Sequence, residues 1–232
     1  GGTLCVAGES GSGKSALALA IMGLLPSGMR PEQGRIEVAG HTVLADGRYA
    51  AERQLRQWRG ARMGMVFQEP MTALNPLVTC GQQVDEALRL HGRLSRAARR
   101  ARILEIFEAV RLDAPERIFR SYPHQLSGGQ RQRVVLSMAM ILRPALLICD
   151  EPTTALDVTT QAEILGLIAT LQQEQGTTVL FITHDLGVAA RMGGELLVMH
   201  EGRVVEQGAV ADVLVRPGHA YTQRLLAAVP SM

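Results

Sequence analysis

The sequence predicts an α/β fold with a mostly parallel core sheet, a small antiparallel β part and an inserted helical subdomain. Short apolar runs alternate with helical patterns near both ends of the chain, which is typical of a parallel sheet covered on both faces. A glycine-rich loop joins the first apolar run to the first helical pattern, as is common in open α/β sheets. Between about Thr72 and Arg143 the apolar spacing is mainly helical, which predicts the inserted part.

In the first half of the chain, apolar spacing together with glycine and proline predicts the element bounds. A buried strand is predicted over residues 2–7, and a helix over residues 14–25 that stops before Pro26-Ser27-Gly28. The other predicted elements are an antiparallel pair, Arg35–Val38 with residues 41–44, a helix over residues 49–58, and a strand over residues 64–67 that leads to Gln68.

In the second half, Ser95 is predicted to cap one helix of the helical block, and Thr160-Gln161-Ala162-Glu163 reads as a capping box for a helix ending near Gly176. The strand patterns then return. They are residues 145–149, Thr178–Thr183, and a hairpin of residues 196–200 with residues 203–207.

Composition limits the classes of function. The chain has 232 residues, 47% of them hydrophobic, which is enough for one large or two small domains. A net charge of +2 and an aromatic content of 3% do not indicate nucleic-acid binding. Cys5, Cys80 and Cys149 form no Cys-x-x-Cys pair, so we expect thiols packed in a core and a reducing compartment. We expect no membrane span and no secretory signal, so work at a membrane would need another chain to cross it.

The loop after the first strand predicts a phosphate-binding site. This phosphate loop consists of Gly8, Glu9, Ser10, Gly11, Ser12, Gly13, Lys14 and Ser15. Its glycines let the backbone approach phosphates closely, so that N–H groups and the helix N-terminus face the anion. Lys14, the only lysine of the chain, would add a point charge at the β- and γ-phosphates, and Ser15 a hydroxyl for Mg²⁺. A plain glycine-rich turn is the alternative, which the strand–loop–helix context disfavours.

Further polar positions follow predicted strands, whose carboxyl ends are where open α/β sheets bind ligands. We predict that Asp150 holds Mg²⁺ through water and that Glu151 polarises the attacking water. His184 is predicted to contact the γ-phosphate, and Gln68 to be a Mg²⁺ and water contact that senses it. The alternatives are a solvated acidic turn before Pro152 and a structural histidine.

A second helix start predicts another anion site. After Leu126 come Ser127, Gly128, Gly129 and Gln130, which open a helical pattern that continues to Leu142. A helix N-terminus presents free N–H groups and a partial positive charge. Because the chain already has a complete phosphate loop, we predict a head-to-tail dimer in which this helix closes over the ATP of the opposite subunit. Asp157 is predicted to lie at that junction; a simple helix cap is the alternative.

The helical block also carries a basic run of five arginines, namely Arg93, Arg96, Arg99, Arg100 and Arg102. A solvated helix face is the expected role of such a run. Contact with a partner protein or with phospholipid headgroups is the alternative.

The order of these motifs resembles that of ATP-binding-cassette (ABC) ATPases: phosphate loop, Gln68, Leu-Ser-Gly-Gly-Gln, Asp150-Glu151 and His184. Longer strings resemble one branch, the ATP-binding subunits of ABC importers for dipeptides, oligopeptides, nickel and glutathione. These strings are residues 66–76, 122–125, 150–158 and 219–230.

The resemblance implies a P-loop NTPase of the ABC ATPase type that hydrolyses ATP with Mg²⁺. It implies a second ABC ATPase subunit, two membrane permease subunits and, indirectly, a substrate-binding protein as partners, and no nucleic acid. The segment after Gln68 would receive the coupling helices of the permease. The chain would then lie at the cytoplasmic face of the cell membrane, held there by its partners, and power the import of peptides or a related small solute.

The resemblance also implies a single ABC ATPase domain over residues 1–232. Its helical subdomain, at 72–143, would carry Leu-Ser-Gly-Gly-Gln, which is the signature motif of the family. A C-terminal extension would follow at 208–232. Members of the family have further strands before the phosphate loop, one of them bearing an aromatic residue that stacks on adenine. Here only residues 1–7 precede Gly8, so we expect those strands to be missing.

Two other functions are the alternatives to an importer subunit. A non-transport ABC ATPase of DNA repair or translation would share the motifs, but the segment between Gln68 and Ser127 shows no heptads or cysteine pairs. A nucleotide-binding regulatory module without turnover is disfavoured by Glu151 and His184, the two predicted catalytic side chains.

Overall fold

Apolar segments form a sheet in which β1 lies between two later strands. The structure is a computed structural model that describes residues 1–68, 73–154 and 156–228. β1 (Thr3–Ala7) pairs in parallel with both β7 (Thr178–Thr183) and β8 (Glu195–His200). β7 borders β6 (Leu146–Asp150), and β8 pairs in antiparallel with β9 (Arg203–Ala209). The predicted hairpin is therefore confirmed, and nearly continuous burial along β1, β6 and β7 explains their apolar sequences.

A second, smaller sheet is antiparallel. β2 (Arg35–Val38) pairs with β3 (His41–Ala45), and β3 pairs with β4 (Arg48–Tyr49). This sheet confirms the predicted antiparallel pair and adds a two-residue strand. The remaining described strand, β5 (Met63–Val66), is not part of this small sheet.

The described α-helices alternate with strands at both ends of the chain and follow one another in its middle. In chain order they are α1 (Lys14–Met22), α2 (Glu52–Trp58), α3 (Cys80–His91), α4 (Arg96–Ala109), α5 (Pro115–Arg120), α6 (Gly128–Met140), α7 (Val158–Gln175), α8 (Leu186–Met192), α9 (Val210–Val215) and α10 (Ala220–Ala227). A short 3₁₀ turn, Pro123–Gln125, precedes α6.

The chain divides into two compact units. The first unit contains residues 1–56 and 148–151 and the chain from residue 178 onward. It therefore holds the phosphate loop, the two acids at the end of β6 and the histidine after β7. The second unit contains residues 57–147 and 152–177, with the helices α3 to α7.

Two predicted element bounds were wrong for local reasons. The first helix ends at Met22 rather than near residue 25, because Gly23 adopts the left-handed conformation with φ of 64° and terminates it. Tyr49 was predicted to begin a helix, but it lies in β4 opposite Leu44, and the helix begins at Glu52. The Tyr49 hydroxyl donates to the carbonyl oxygen of Ala20 in α1 at 3.1 Å, so its side chain stabilises the packing of the small sheet on that helix.

The helical unit confirms Ser95 as a cap, because the Ser95 side chain accepts a hydrogen bond from the Ala98 N–H at 3.2 Å. Within the basic run, Arg99 forms an ion pair with Asp85, and Arg100 forms one with Glu116. These two arginines therefore have partners within the unit.

All three cysteines are buried and free, as predicted for thiols packed in a core. Burial raises the pKa of the Cys5 thiol to about 12 and that of Cys80 to about 11. Burial also raises the pKa of Cys149. Among the helices of the described ranges, not one combines the length and the apolar character needed to cross a bilayer.

Candidate functional site

The phosphate loop connects β1 to α1 in a conformation that depends on glycine. Gly13 has φ of 100°, in the left-handed region that side chains disfavour. A Cβ atom at Gly8 would lie 2.2 Å from the carbonyl oxygen of Met199, so only glycine fits there. The turn of the β8–β9 hairpin also holds the loop, because the Gly202 N–H donates to the Ser12 carbonyl oxygen at 3.1 Å.

The side chain of Lys14 is folded back along this loop. Its ammonium donates to the carbonyl oxygens of Gly8 and Glu9, each at 2.8 Å, and the residue is only 4% exposed. Burial lowers the pKa of Lys14, and the nearby carboxylates of Glu151 and Asp150 oppose that shift. The loop therefore surrounds a fixed positive charge, as a triphosphate site requires.

Ser15 and Asp150 bring two oxygen ligands together. The Ser15 hydroxyl donates to Asp150 Oδ1 at 3.1 Å, and Asp150 is 6% exposed at the end of β6. Burial raises the pKa of the Asp150 carboxyl, which the hydroxyl of Ser15 partly offsets. A hydroxyl and a carboxylate in contact beside a phosphate loop suit Mg²⁺, which takes few protein ligands and completes its shell with phosphate oxygens and water. The donor set thus fits the predicted ion.

Glu151 and His184 meet at the ends of neighbouring strands. Glu151 Oε2 lies 3.0 Å from His184 Nδ1, and the Glu151 side chain is 13% exposed whereas that of His184 is 54% exposed. The Glu151 backbone has φ of 47°, which is uncommon for a residue other than glycine. Its N–H donates to the carbonyl oxygen of Ile182 in β7 at 3.0 Å. The backbone is therefore held in a conformation that directs the carboxylate to the histidine.

The residues on either side of His184 hold it at the start of α8. Asp185 caps that helix, because its Oδ1 accepts from the Gly187 N–H at 2.7 Å. Thr183 is buried, and its hydroxyl accepts from the Asp185 N–H at 3.0 Å. The exposed imidazole thus projects from a rigid strand-to-helix turn.

The predicted signature residues lie in the second unit. Ser127 is the N-cap of α6, where its Oγ accepts from the Gln130 N–H at 3.2 Å and Gln130 Oε1 accepts from the Ser127 N–H at 3.1 Å. This capping box satisfies two backbone groups, and the helix begins at Gly128. Gly128 and Gly129 line an open cleft of about 290 Å³ together with Leu156 and Asp157.

Asp157 is itself a helix cap, which corrects the prediction of a capping box that starts at Thr160. The Asp157 side chain accepts from the Thr160 N–H at 2.9 Å and from its hydroxyl at 2.7 Å, so α7 starts at Val158 and Thr160 is its third residue. These two bonds lower the pKa of Asp157. Thr160 also lines the cleft and lies close to Gly129, because a Cβ atom at Gly129 would be 2.8 Å from Thr160 Cγ2. Sequence reasoning missed this role of Thr160.

Gln68 is an exposed residue of the second unit, shortly after β5. Its predicted contact with Mg²⁺ and water stays a prediction. The resemblance assigns the segment after Gln68 to contact with coupling helices, and residues 69–72 of that segment lie outside the described residues. Residue 155, between Glu151 and Asp157, also lies outside them.

The family model for ABC transporters matches residues 1–154. The chain belongs to the ABC transporter family. The predicted recognition as an ABC ATPase domain is thereby confirmed.

Curated relatives resemble this cassette over its full length. A probable peptide ABC transporter ATP-binding protein, y4tR of Sinorhizobium fredii, is 48% identical over 99% of this chain and 68% of its own length. The glutathione import ATP-binding protein GsiA of Pectobacterium atrosepticum is 48% identical over all of this chain. The cassette spans only 38% of the length of that GsiA.

Solved structures agree with the predicted α/β fold class. The ATP-binding cassette MJ0796, described in a dimeric post-hydrolysis state bound to ADP and Pi, matches with a TM-score of 0.76 and 32% identity. The match covers 90% of this chain and 85% of that one. CbiO1 of Clostridium perfringens, part of the ABC transporter complex cbiONQ, matches with a TM-score of 0.78 and 28% identity over 93% of this chain and 80% of that one. The predicted fold class is confirmed.

Proposed function

We propose that this cassette hydrolyses ATP to power the import of peptides or a related small solute, such as glutathione, through partner membrane subunits. The observation that carries the proposal is 48% identity over 99% to 100% of the chain with proteins named for peptide transport and glutathione import. Because the chain spans only part of those proteins, solute and partners are inferred from the relatives' names. The cassette would lie at the cytoplasmic face of the membrane, held there by its partners.

The first unit supplies the groups that the reaction needs. N–H groups of the phosphate loop and the ammonium of Lys14 bind the triphosphate and offset its charge. Glu151 accepts a proton from the attacking water. His184 lies 3.0 Å from the Glu151 carboxylate, orients that carboxylate and contacts the γ-phosphate. Within this unit, Ser15 and Asp150 would hold Mg²⁺. That ion neutralises charge on the β- and γ-phosphate oxygens when it is bound.

The second unit supplies a helix start for the nucleotide of a second cassette. Ser127, Gly128, Gly129 and Gln130 begin α6, and the helix N-terminus carries a partial positive charge that favours an anion. With Asp157 lining the same cleft, we infer that two cassettes close head to tail on ATP and reopen after hydrolysis. The dimeric state named for the MJ0796 structure supports a dimer of cassettes.

Gly129→Ala tests the signature cleft. The new Cβ would lie 2.8 Å from Thr160 Cγ2, and Thr160 cannot rotate away without losing its 2.7 Å hydrogen bond to Asp157. Small displacements of positioning groups are costly, so we expect ATP hydrolysis to fall on the order of tenfold to a hundredfold. Nucleotide binding by the isolated cassette should change little, since the phosphate loop is untouched. Phosphate release and nucleotide titration measure the two effects.

Gly166→Ala is the matched control for that substitution. Gly166 lies in α7, the helix of Thr160, and its Cβ would meet no atom within 4 Å. Alanine in a helix is about 1 kcal/mol more favourable than glycine, so this variant should be slightly more stable and fully active. Equal hydrolysis by the two variants would contradict the role of the cleft.

The transport proposal is tested with the whole protein and its genomically adjacent membrane subunits in proteoliposomes. We expect ATP-dependent uptake of labelled di- and oligopeptides or glutathione, and no uptake with a Glu151→Gln cassette. ATP hydrolysis without uptake of these solutes would contradict the proposed substrate class. Copurification with nucleic acid in place of membrane subunits would favour the repair or translation alternative.

A further inference from the structure

The helix α10 contacts the phosphate loop through the side chain of Tyr221. The N–H of Glu9, the second residue of the loop, donates to the hydroxyl oxygen of Tyr221 in α10 at 2.9 Å. Both residues belong to the first unit. The contact lies on the side of the loop that leaves β1, away from the start of α1.

The tyrosine ring is held from several directions. Tyr221 is 2% exposed, and its ring stacks on that of His200 at the end of β8, with centroids 3.9 Å apart and planes 23° apart. The Arg224 guanidinium lies 5.9 Å from the ring centroid, within the range of a cation–π contact. A hydroxyl on a ring fixed in this way is a rigid acceptor.

The start of α10 is itself anchored to β9. Glu206 accepts from the N–H groups of Gly218, at 2.6 Å, and His219, at 3.1 Å. His219 Nδ1 then caps the helix by accepting from the Tyr221 N–H at 3.1 Å. Hydrogen bonds therefore fix the start of α10 to β9, and the tyrosine of this anchored helix in turn binds the loop.

The same part of the loop also holds the catalytic cation. Lys14 Nζ donates to the carbonyl oxygens of Gly8 and Glu9. Glu9 thus binds both groups: its N–H donates to Tyr221, and its carbonyl oxygen accepts from Lys14. Loss of the hydroxyl would leave this partly buried N–H without its acceptor and free the loop to leave its phosphate-binding shape.

We propose that Tyr221 is a positioning residue that preorganises the phosphate loop for the nucleotide. This inference rests on the proposed binding of ATP by the loop. If the loop samples other conformations, the apparent affinity for ATP falls with the fraction of molecules whose loop has the binding-competent shape. The tyrosine therefore acts on the affinity for ATP. Its hydroxyl bonds to the loop backbone rather than to a predicted catalytic side chain, so we expect the rate of hydrolysis to change little once bound ATP has ordered the loop.

Tyr221→Phe tests the proposal, because it removes only the hydroxyl and keeps the stacked ring. We expect the Kd for ATP and the KM to rise by up to about tenfold, because a partly buried N–H that loses its acceptor costs on the order of 1 kcal/mol. The kcat should stay within about twofold. The measurement is titration with ATP and Mg²⁺, with steady-state phosphate release on the whole protein.

Tyr49→Phe is the matched control. It makes the same chemical change in the same unit, where the Tyr49 hydroxyl donates to Ala20 rather than to the loop. Its unfolding midpoint reports the stability cost of losing a tyrosine hydroxyl, and its Kd for ATP should match that of the parent.

His219→Ala, which removes the cap of α10, should also raise the Kd for ATP, but by less than Tyr221→Phe does.

The outcomes separate this inference from the proposed function. A parent protein that binds no ATP would overturn the proposed function itself. A parent that binds ATP, with Tyr221→Phe and Tyr49→Phe both at the parental Kd, would overturn the role of Tyr221 alone. A fall in kcat at unchanged KM would also overturn it, because the hydroxyl would then act on the chemical step.

Discussion

Replacing Lys14 by alanine is expected to abolish ATP turnover and to weaken ATP binding. The ammonium is the buried cation of the phosphate loop, held by two carbonyl oxygens at 2.8 Å. In phosphoryl transfer, catalysis depends mainly on positioned charge, and removal of one preorganised donor typically lowers kcat on the order of a hundredfold to a thousandfold. Phosphate release and nucleotide titration on the whole protein measure the two losses.

Arginine at the same position should fail as well. Lys14 is only 4% exposed, and its compact ammonium donates to the neighbouring carbonyl oxygens of Gly8 and Glu9. A wide planar guanidinium does not reproduce these contacts in a buried site. Arg53→Ala, which removes an exposed cation from α2 in the same unit, is the control and should keep parental activity. Hydrolysis near the parental rate by either Lys14 variant would refute the assignment.

Replacing Glu151 by glutamine is expected to stop hydrolysis while ATP binding survives. Glutamine keeps the size of the side chain and can still contact His184, but it cannot accept the proton of the attacking water. Loss of a general base typically costs about a hundredfold to ten-thousandfold in rate. Because reopening follows hydrolysis, the ATP-bound dimer should then accumulate, and light scattering with ATP and Mg²⁺ would detect it.

Glu201→Gln is a close control for that change. Glu201 is exposed in the turn between β8 and β9 and has the same backbone φ of 47° as Glu151. The two substitutions therefore share chemistry and backbone strain but not the position beside His184. A Glu151→Gln cassette that remains monomeric in ATP, or that hydrolyses as fast as Glu201→Gln, would exclude the general-base role.

Local motifs made most of the site predictable. The phosphate loop carries its own signal, because glycine, lysine and serine at fixed spacing between a strand and a helix suit one chemistry. Glu151 and His184 could be expected near each other only because both follow apolar strands whose carboxyl ends meet at one edge. Their 3.0 Å contact depends on β6 and β7 being neighbours, which tertiary pairing decides.

The misses arose where competing local patterns or distant contacts decided the outcome. Asp157 and Thr160 both suit a helix start, and the aspartate prevails because its carboxylate accepts from both the N–H and the hydroxyl of Thr160. Tyr49 lies in a strand too short to show alternation. The contact of Tyr221 with Glu9 joins residues 212 positions apart, and no pattern along the chain indicates it.

The position of β1 between β7 and β8 has a consequence for the order of events during synthesis. A nascent chain that ends within α7 already contains every residue of the phosphate loop, yet it lacks both strands that flank β1 and the tyrosine that holds Glu9. Long-range pairing of this kind delays folding. The nucleotide pocket is therefore completed only after β7, β8 and α10 have been synthesised, although the residues of the phosphate loop are made much earlier.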